Sequence, residues 1–183
     1  MTTTDAPDDT SLTIASMHAM ASSRRPADLE AFYAADAVNR EAKDEPPDTR
    51  GTGPAALFAT ALWLRAAFSE LGWEIHDAVH EGDLVVLHAT MSGRQTGPFV
   101  AYGPDGSVKA VFPPRGRRFA VTQTHWFRIR DGKVAEHWAN RDDLAMGEQL
   151  GWTPPSPLYL ARMALARRRI RRTAVEQRAG SGS

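Results

Sequence analysis

A chain of 183 residues with 22 basic and 22 acidic side chains carries no formal net charge. No global field therefore draws it to nucleic acid or to an anionic membrane, and its size is that of one domain with room for a sizeable core. The absence of cysteine excludes a disulfide framework, thiol catalysis and cysteine-ligated metal, and fits a cytoplasmic location.

The polar, acidic start MTTTDAPDDT lacks the basic and apolar regions of a secretory signal, and no apolar run approaches the roughly 20 residues of a membrane span. Stable membrane association is not expected. Residues 1–10 are expected to be disordered, with Thr10 or Ser11 capping a first helix through about Ala21 that carries Leu12, Ile14, Met17 and Met20. A second helix is expected from Pro26 to Ala34, then a short buried segment at Val38-Asn39 and a polar, proline-containing loop. Pro54 at a first helical position opens a third helix ending near Gly72. Its Leu57, Ala61, Leu64, Ala67 and Phe68 follow helical spacing and should lie across a sheet.

From Trp73 the pattern becomes that of strands. Residues 73–80 and 84–92, joined at Glu81-Gly82-Asp83, read as a hairpin. Residues 93–117, rich in Gly and Pro, predict a long irregular connection over one end of the sheet. The last strands flank Asp131-Gly132, a pair suited to a type I′ turn because both residues tolerate positive φ. Regular pairing from that turn sets Ile129 opposite Val134, Phe127 opposite Glu136, His125 opposite Trp138 and Gln123 opposite Asn140. One face then carries Gln123, His125, Phe127, Ile129, Val134, Glu136, Trp138, Asn140 and Asp142, apolar near the turn and polar at the far end. Such a face suits the lining of a deep pocket. His137 is expected on the opposite face with Arg128 and Arg141, solvent-facing or at an interface.

A short helix follows, then a stiff break at Thr153 to Pro157 and a helical, basic segment. Arg162, Arg167, Arg168, Arg169, Arg171, Arg172 and Arg178 are read as the solvated face of a helix that packs Leu158, Met163 and Ile170 on its own or a partner subunit. Three helices followed by antiparallel hairpins fit an α+β domain over residues 11–152, with 153–183 as proline-rich break, basic helix and flexible end.

The element order, the segment Ala37-Val38-Asn39-Arg40-Glu41-Ala42, the turn Val79-His80-Glu81-Gly82-Asp83-Leu84 and the run FRIRDGKVAEHWANRDDLAMGEQLG resemble the SnoaL-like polyketide cyclases, or ester cyclases, of the nuclear transport factor-like superfamily. The resemblance covers roughly residues 11–152. It implies a cone-shaped α+β barrel, with a curved antiparallel sheet wrapped around N-terminal helices, and a homodimer or higher homo-oligomer. It also implies a cofactor-independent aldol closure of a hydrophobic polyketide ester, in which an aspartate moves protons. Family enzymes place that acid near the end of the last strand, facing a Gln-x-His pair and an Asn after helix two. Gln123, His125 and Asn39 match those positions; Ala139 follows Trp138, and carboxylates come at Asp142 and Asp143.

Strand parity favours Asp142 as acid/base, with helix capping by Asp142 or Asp143 as the alternative, and His125 as its partner or a carbonyl donor. Gln123, Asn39 and Asn140 are candidate substrate-binding groups, Trp138 and Phe127 candidate apolar walls, and His88 a candidate extension of the polar lining. Glu136 reads as structural. The six histidines form no compact metal-ligand motif, and phosphate-cradling or dinucleotide fingerprints are absent, so neither metal nor cofactor is expected. A water-activating hydrolase, an isomerase or a non-catalytic binding protein could use the same cavity.

Overall fold

The computed structural model describes residues 8–154 and 156–180, with side chains through residue 172. Helix α1 spans Asp9–Ser22. Its cap is Asp8 rather than Thr10 or Ser11, the carboxylate accepting from the Ser11 backbone N–H at 2.8 Å. Leu12 and Met17 enter the core, whereas residues 1–7 lie outside the described part.

The expected helix at Pro26–Ala34 is a single 3-10 turn, Pro26–Leu29. Asp28 closes it by accepting from the backbone N–H groups of Arg24 and Arg25 at 2.8 and 3.2 Å. The chain then extends as strand β1, Tyr33–Asn39, and Tyr33 and Ala37, not Val38, are its buried residues, Val38 being 41% exposed. Helix α2 runs Gly53–Ala67 and stops at Ala67 rather than Gly72, because Phe68 begins strand β2, Phe68–Glu81, paired with Gln95.

Gly82, at φ 61°, turns β2 into β3, Leu84–Gln95. The connection expected to be irregular contains a two-stranded hairpin, β4 (Phe99–Tyr102) and β5 (Val108–Phe112). Strands β6 (Arg118–Arg130) and β7 (Lys133–Arg141) follow, then α3 (Asp143–Leu150) and α4 (Pro157–Gly180).

The main sheet has the order β1-β7-β6-β3-β2. Its pairs are antiparallel except β1 against β7, which is parallel. Bulges interrupt β2 against β3 and β6 against β7; such extra residues bend and twist a sheet. The result is the expected cone-like α+β architecture, a curved, unclosed sheet wrapped around α1 and α2. One core cluster joins Leu12 and Met17 of α1 and Leu57 of α2 to Leu87, Phe127 and Val134 of the sheet. A second joins Phe68, Met91, Phe119 and Val121 to Leu150 and Trp152. Each fully buried aromatic or branched side chain contributes about 1.5–3 kcal/mol relative to exposure.

Helix α4 packs Ala166 and Ile170 on Val100, Val108 and Val111 of the β4–β5 hairpin, and Arg167 and Arg171 donate to the Val108 carbonyl at 3.2 and 3.1 Å. Met163 joins the second core cluster, whereas Leu158 is 73% exposed. The Arg178 side chain lies outside the described residues. Among those residues no helix is long and apolar enough to cross a membrane.

Candidate active site

The turn between β6 and β7 is the one expected, with Asp131 and Gly132 at φ 53° and 67° and Arg130 opposite Lys133. Beyond Ile129 and Val134 the register slips. Arg128 pairs with Glu136, Phe127 with His137, Trp126 with Trp138, His125 with Ala139, Thr124 with Asn140 and Gln123 with Arg141. Ala135 is the additional residue on β7, and one additional residue exchanges the two faces of a strand. His137, Ala139 and Arg141 therefore face inward with Gln123, His125 and Phe127, while Glu136, Trp138 and Asn140 turn outward.

Several expected positions are corrected, those on β7 by that slip. Trp138 stacks on Trp126 on the outer face, with ring centroids 6.1 Å apart, and lies beneath Arg40. Asn140 is exposed, and Glu136 pairs with Arg40 at 2.6 Å. His88 lies on the outer face of β3 beside Asp77 at 3.4 Å, since Leu87 and Ala89 are the inward neighbours. Asp142 does not reach the cavity: it is the N-cap of α3, its Oδ1 accepting from the Ala145 N–H at 2.9 Å. Asp142→Ala is expected to cost about 1 kcal/mol, the usual worth of such a cap, or about 2–4 °C in Tm for a chain of this size. Turnover should be unchanged, and a thermal melt beside an activity assay checks both.

The inward faces bound a cavity of about 400 Å³. Its aromatic side comes from α2, β2, the β4–β5 hairpin and the segment after α3. Trp63 and Phe99 have centroids 4.8 Å apart, Phe99 and Trp152 stack at 5.2 Å, and Phe112 and Trp152 at 4.5 Å. Flat apolar walls of this kind suit a planar ligand.

Opposite them runs a polar strip crossing three strands. Asn39 Oδ1 lies 3.1 Å from His137 Nδ1, His137 Nε2 lies 2.9 Å from His125 Nδ1, and His125 Nε2 lies 2.8 Å from Gln123 Oε1. Trp73 Nε1 donates to the same Gln123 oxygen at 3.3 Å. Burial, then the neighbouring His137 and Arg141, hold the His125 imidazole well below its ordinary range. Burial and Arg141 bring His137 down to about 3. His137 keeps some of its surface open to the cavity while protein surrounds the ring.

At the strip's edge Arg141 faces Glu41 at 3.5 Å and Asp143 at 3.8 Å. Glu45, only 2% exposed, accepts from Thr60 Oγ1 at 2.6 Å. Burial pushes its carboxyl above the usual range. The folded chain thus binds that proton more tightly than the unfolded one. Stability on this account is full below the ordinary carboxyl pKa and falls as pH rises through the folded value. Glu45→Gln keeps the acceptor for Thr60 and removes the ionisation, so its Tm should exceed that of the parent by more at pH 8 than at pH 4. Calorimetry at the two pH values measures the difference. Among the described residues no three His, Asp or Glu side chains converge as metal ligands would.

An apolar cavity inside a curved sheet and two helices, with one polar wall, defines the cone-shaped α+β pocket proteins. The chain belongs to the SnoaL-like polyketide cyclase family, whose model matches residues 12–150. It is similar to the aklanonic acid methyl ester cyclase DauD of Streptomyces sp. (strain C5), 32% identical over 136 residues, which are 71% of this chain and 74% of that one. It is also similar to the aklanonic acid methyl ester cyclase DnrD of Streptomyces peucetius, 33% identical over 134 residues, or 71% of this chain and 82% of that one. Among solved structures, a SnoaL-like protein from Jannaschia sp. CCS1 superposes with a TM-score of 0.62 at 20% identity, covering 85% of this chain and 99% of that one, a likeness of fold.

Proposed function

We propose that the protein closes a ring in a polyketide-like keto-ester by intramolecular aldol addition, without a cofactor. The observation that carries this reading is the polar strip Asn39-His137-His125-Gln123 set against stacked aromatic walls, in a chain similar to two aklanonic acid methyl ester cyclases. Protons flanked by two carbonyls are already acidic, so the protein's task is to fold the substrate, place a base and hold the developing oxyanion. The aromatic walls align the reacting carbons, and the Arg141 guanidinium at the edge of the strip favours negative charge on the enolate. The acid/base belongs to an inward group rather than to Asp142, which caps α3. A homodimer is part of the same proposal, and sedimentation checks it.

The test is purified protein with aklanonic acid methyl ester, followed by mass and absorbance. Ring closure conserves mass and changes the chromophore. A lighter product, in which water has replaced methanol and the ester has become a free acid, identifies a hydrolase, and a ligand retained unchanged identifies a binding protein; either replaces the cyclase reading.

A further inference from the structure

The polar strip has a proton count. Its two ends are both acceptors. Asn39 Oδ1 also accepts from the Glu41 backbone N–H at 3.2 Å, and Gln123 Oε1 from the Trp73 indole N–H at 3.3 Å, which fixes the amide atom that faces each imidazole. Between them lie three junctions: Asn39 to His137, His137 to His125, and His125 to Gln123. Each needs one proton to be a hydrogen bond, and two neutral imidazoles supply only two. One junction therefore opposes two lone pairs. With both Nε2 atoms protonated, Gln123 and His125 Nδ1 are satisfied, and the lone pair of His137 Nδ1 faces Asn39. A third proton completes the strip and gives the histidine pair one positive charge.

We propose that the His125–His137 pair is the acid/base group of the ring closure, with Nδ1 of His137 as the atom that takes and returns the proton. This rests on the cyclase reading above. The substrate's α carbon displaces Asn39 Oδ1 from His137 Nδ1, the one junction without a proton; its C–H bond breaks, the electron pair becomes the enolate, and the proton forms an N–H bond at that nitrogen. The enolate carbon attacks a ketone carbon of the same molecule, a C–C bond forms, and the resulting alkoxide takes the proton back. Product and substrate are isomers; no oxidant, reductant or co-reactant enters.

The surroundings set the pair's resting state. Arg141 follows on β7, balanced by Glu41 and by Asp143, and Glu45 faces the same cavity. The Phe127 ring flanks His137 from β6, its centroid 5.0 Å away, and Tyr33 comes from β1. Burial and Arg141 keep the empty pair neutral and able to accept. An enolate in the cavity places a negative charge beside it and raises its proton affinity when transfer occurs. The inward carboxylates suit the role less well. Glu45 is engaged by the Thr60 hydroxyl, and Asp143 is exposed.

The experiment uses benzoylacetone, a β-diketone whose enolate absorbs apart from its neutral form, with the full-length, nitrogen-15-labelled protein. The parent is expected to convert the bound probe to enolate at neutral pH, with a third protonated imidazole nitrogen appearing in the nitrogen shifts. His137→Gln should lose the added N–H signal and lower enolate formation and ring closure at least about 100-fold, the usual scale of positioned acid/base catalysis. Asn39→Asp sets a carboxylate opposite His137 Nδ1 and should move the acid limb of the enolate profile to higher pH, which covers the case of a poorly folded His137 variant. An enolate that forms in the parent without a third ring N–H overturns the proposal. So does full ring closure by His137→Gln, above all if Glu45→Gln has lost it. Parent protein that forms the enolate with the third N–H but fails to close the keto-ester upholds the pair and refutes the cyclase reading.

Discussion

Gln123→Leu is expected to be damaging to fold and to turnover together. Gln123 is 4% exposed and serves His125 Nε2 and Trp73 Nε1 through one oxygen, while its amide nitrogen lies 3.1 Å from Met91 Sδ. Leucine fills similar space and accepts nothing. The buried His125 donor loses its partner at about 1–3 kcal/mol, and the half-buried Trp73 indole loses one at a smaller cost. The end of the strip that holds His125 upright is lost as well, and removing one preorganised polar group at a reacting centre costs about 10²–10³ in rate. Denaturant unfolding and a ring-closure assay on the same preparation measure the two effects. A variant with parental stability and turnover would show that the strip contributes to neither.

Gly53→Ala is expected to destabilise through the backbone. Gly53 opens α2 at φ 73°, and a Cβ there would stand 2.2 Å from the carbonyl oxygen of Ala35 on β1. A left-handed conformation costs an ordinary residue about 1–2 kcal/mol, and the overlap forces α2 away from β1, so the total should exceed about 2 kcal/mol. Gly82→Ala is the control: φ is 61° with nothing within 4 Å of the added carbon, so only the conformational cost applies. Thermal melts should place Gly53→Ala well below Gly82→Ala. Because Asn39 lies four residues after Ala35 on the same strand, the Gly53 variant should also lose activity before it unfolds.

Half of the polar wall was legible in the sequence. The Asp131-Gly132 turn and the alternation on β6 correctly place Gln123, His125 and Phe127 on one inward face. The β7 half was not legible, because Ala135 carries no mark of a bulge: alanine fits a regular strand and an additional residue equally well. That one residue sends Trp138 and Asn140 outward and brings His137 and Arg141 in. The segment 26–34 reads as helix because Pro26 and the alanines favour one locally. Its neighbour β1 is instead fixed by pairing with β7, Tyr33 opposite Val134, a partner about a hundred residues away that no local pattern reveals. Glu45 and the β4–β5 hairpin sit in stretches whose Pro and Gly content reads as loop. Their contribution to the cavity arises from tertiary packing alone.

The placement of α4 has a consequence for how this pocket varies. The helix begins at Pro157, beyond the family-matched residues 12–150, and backs the hairpin whose Phe99, Ala101 and Phe112 roof the cavity. The polar wall and the brace behind the cavity's roof thus belong to separate stretches of chain. Substitutions in the brace can reset the headroom over a bound molecule while every polar group beneath stays in place. Substrate bulk and chemistry are thereby heritable as independent traits.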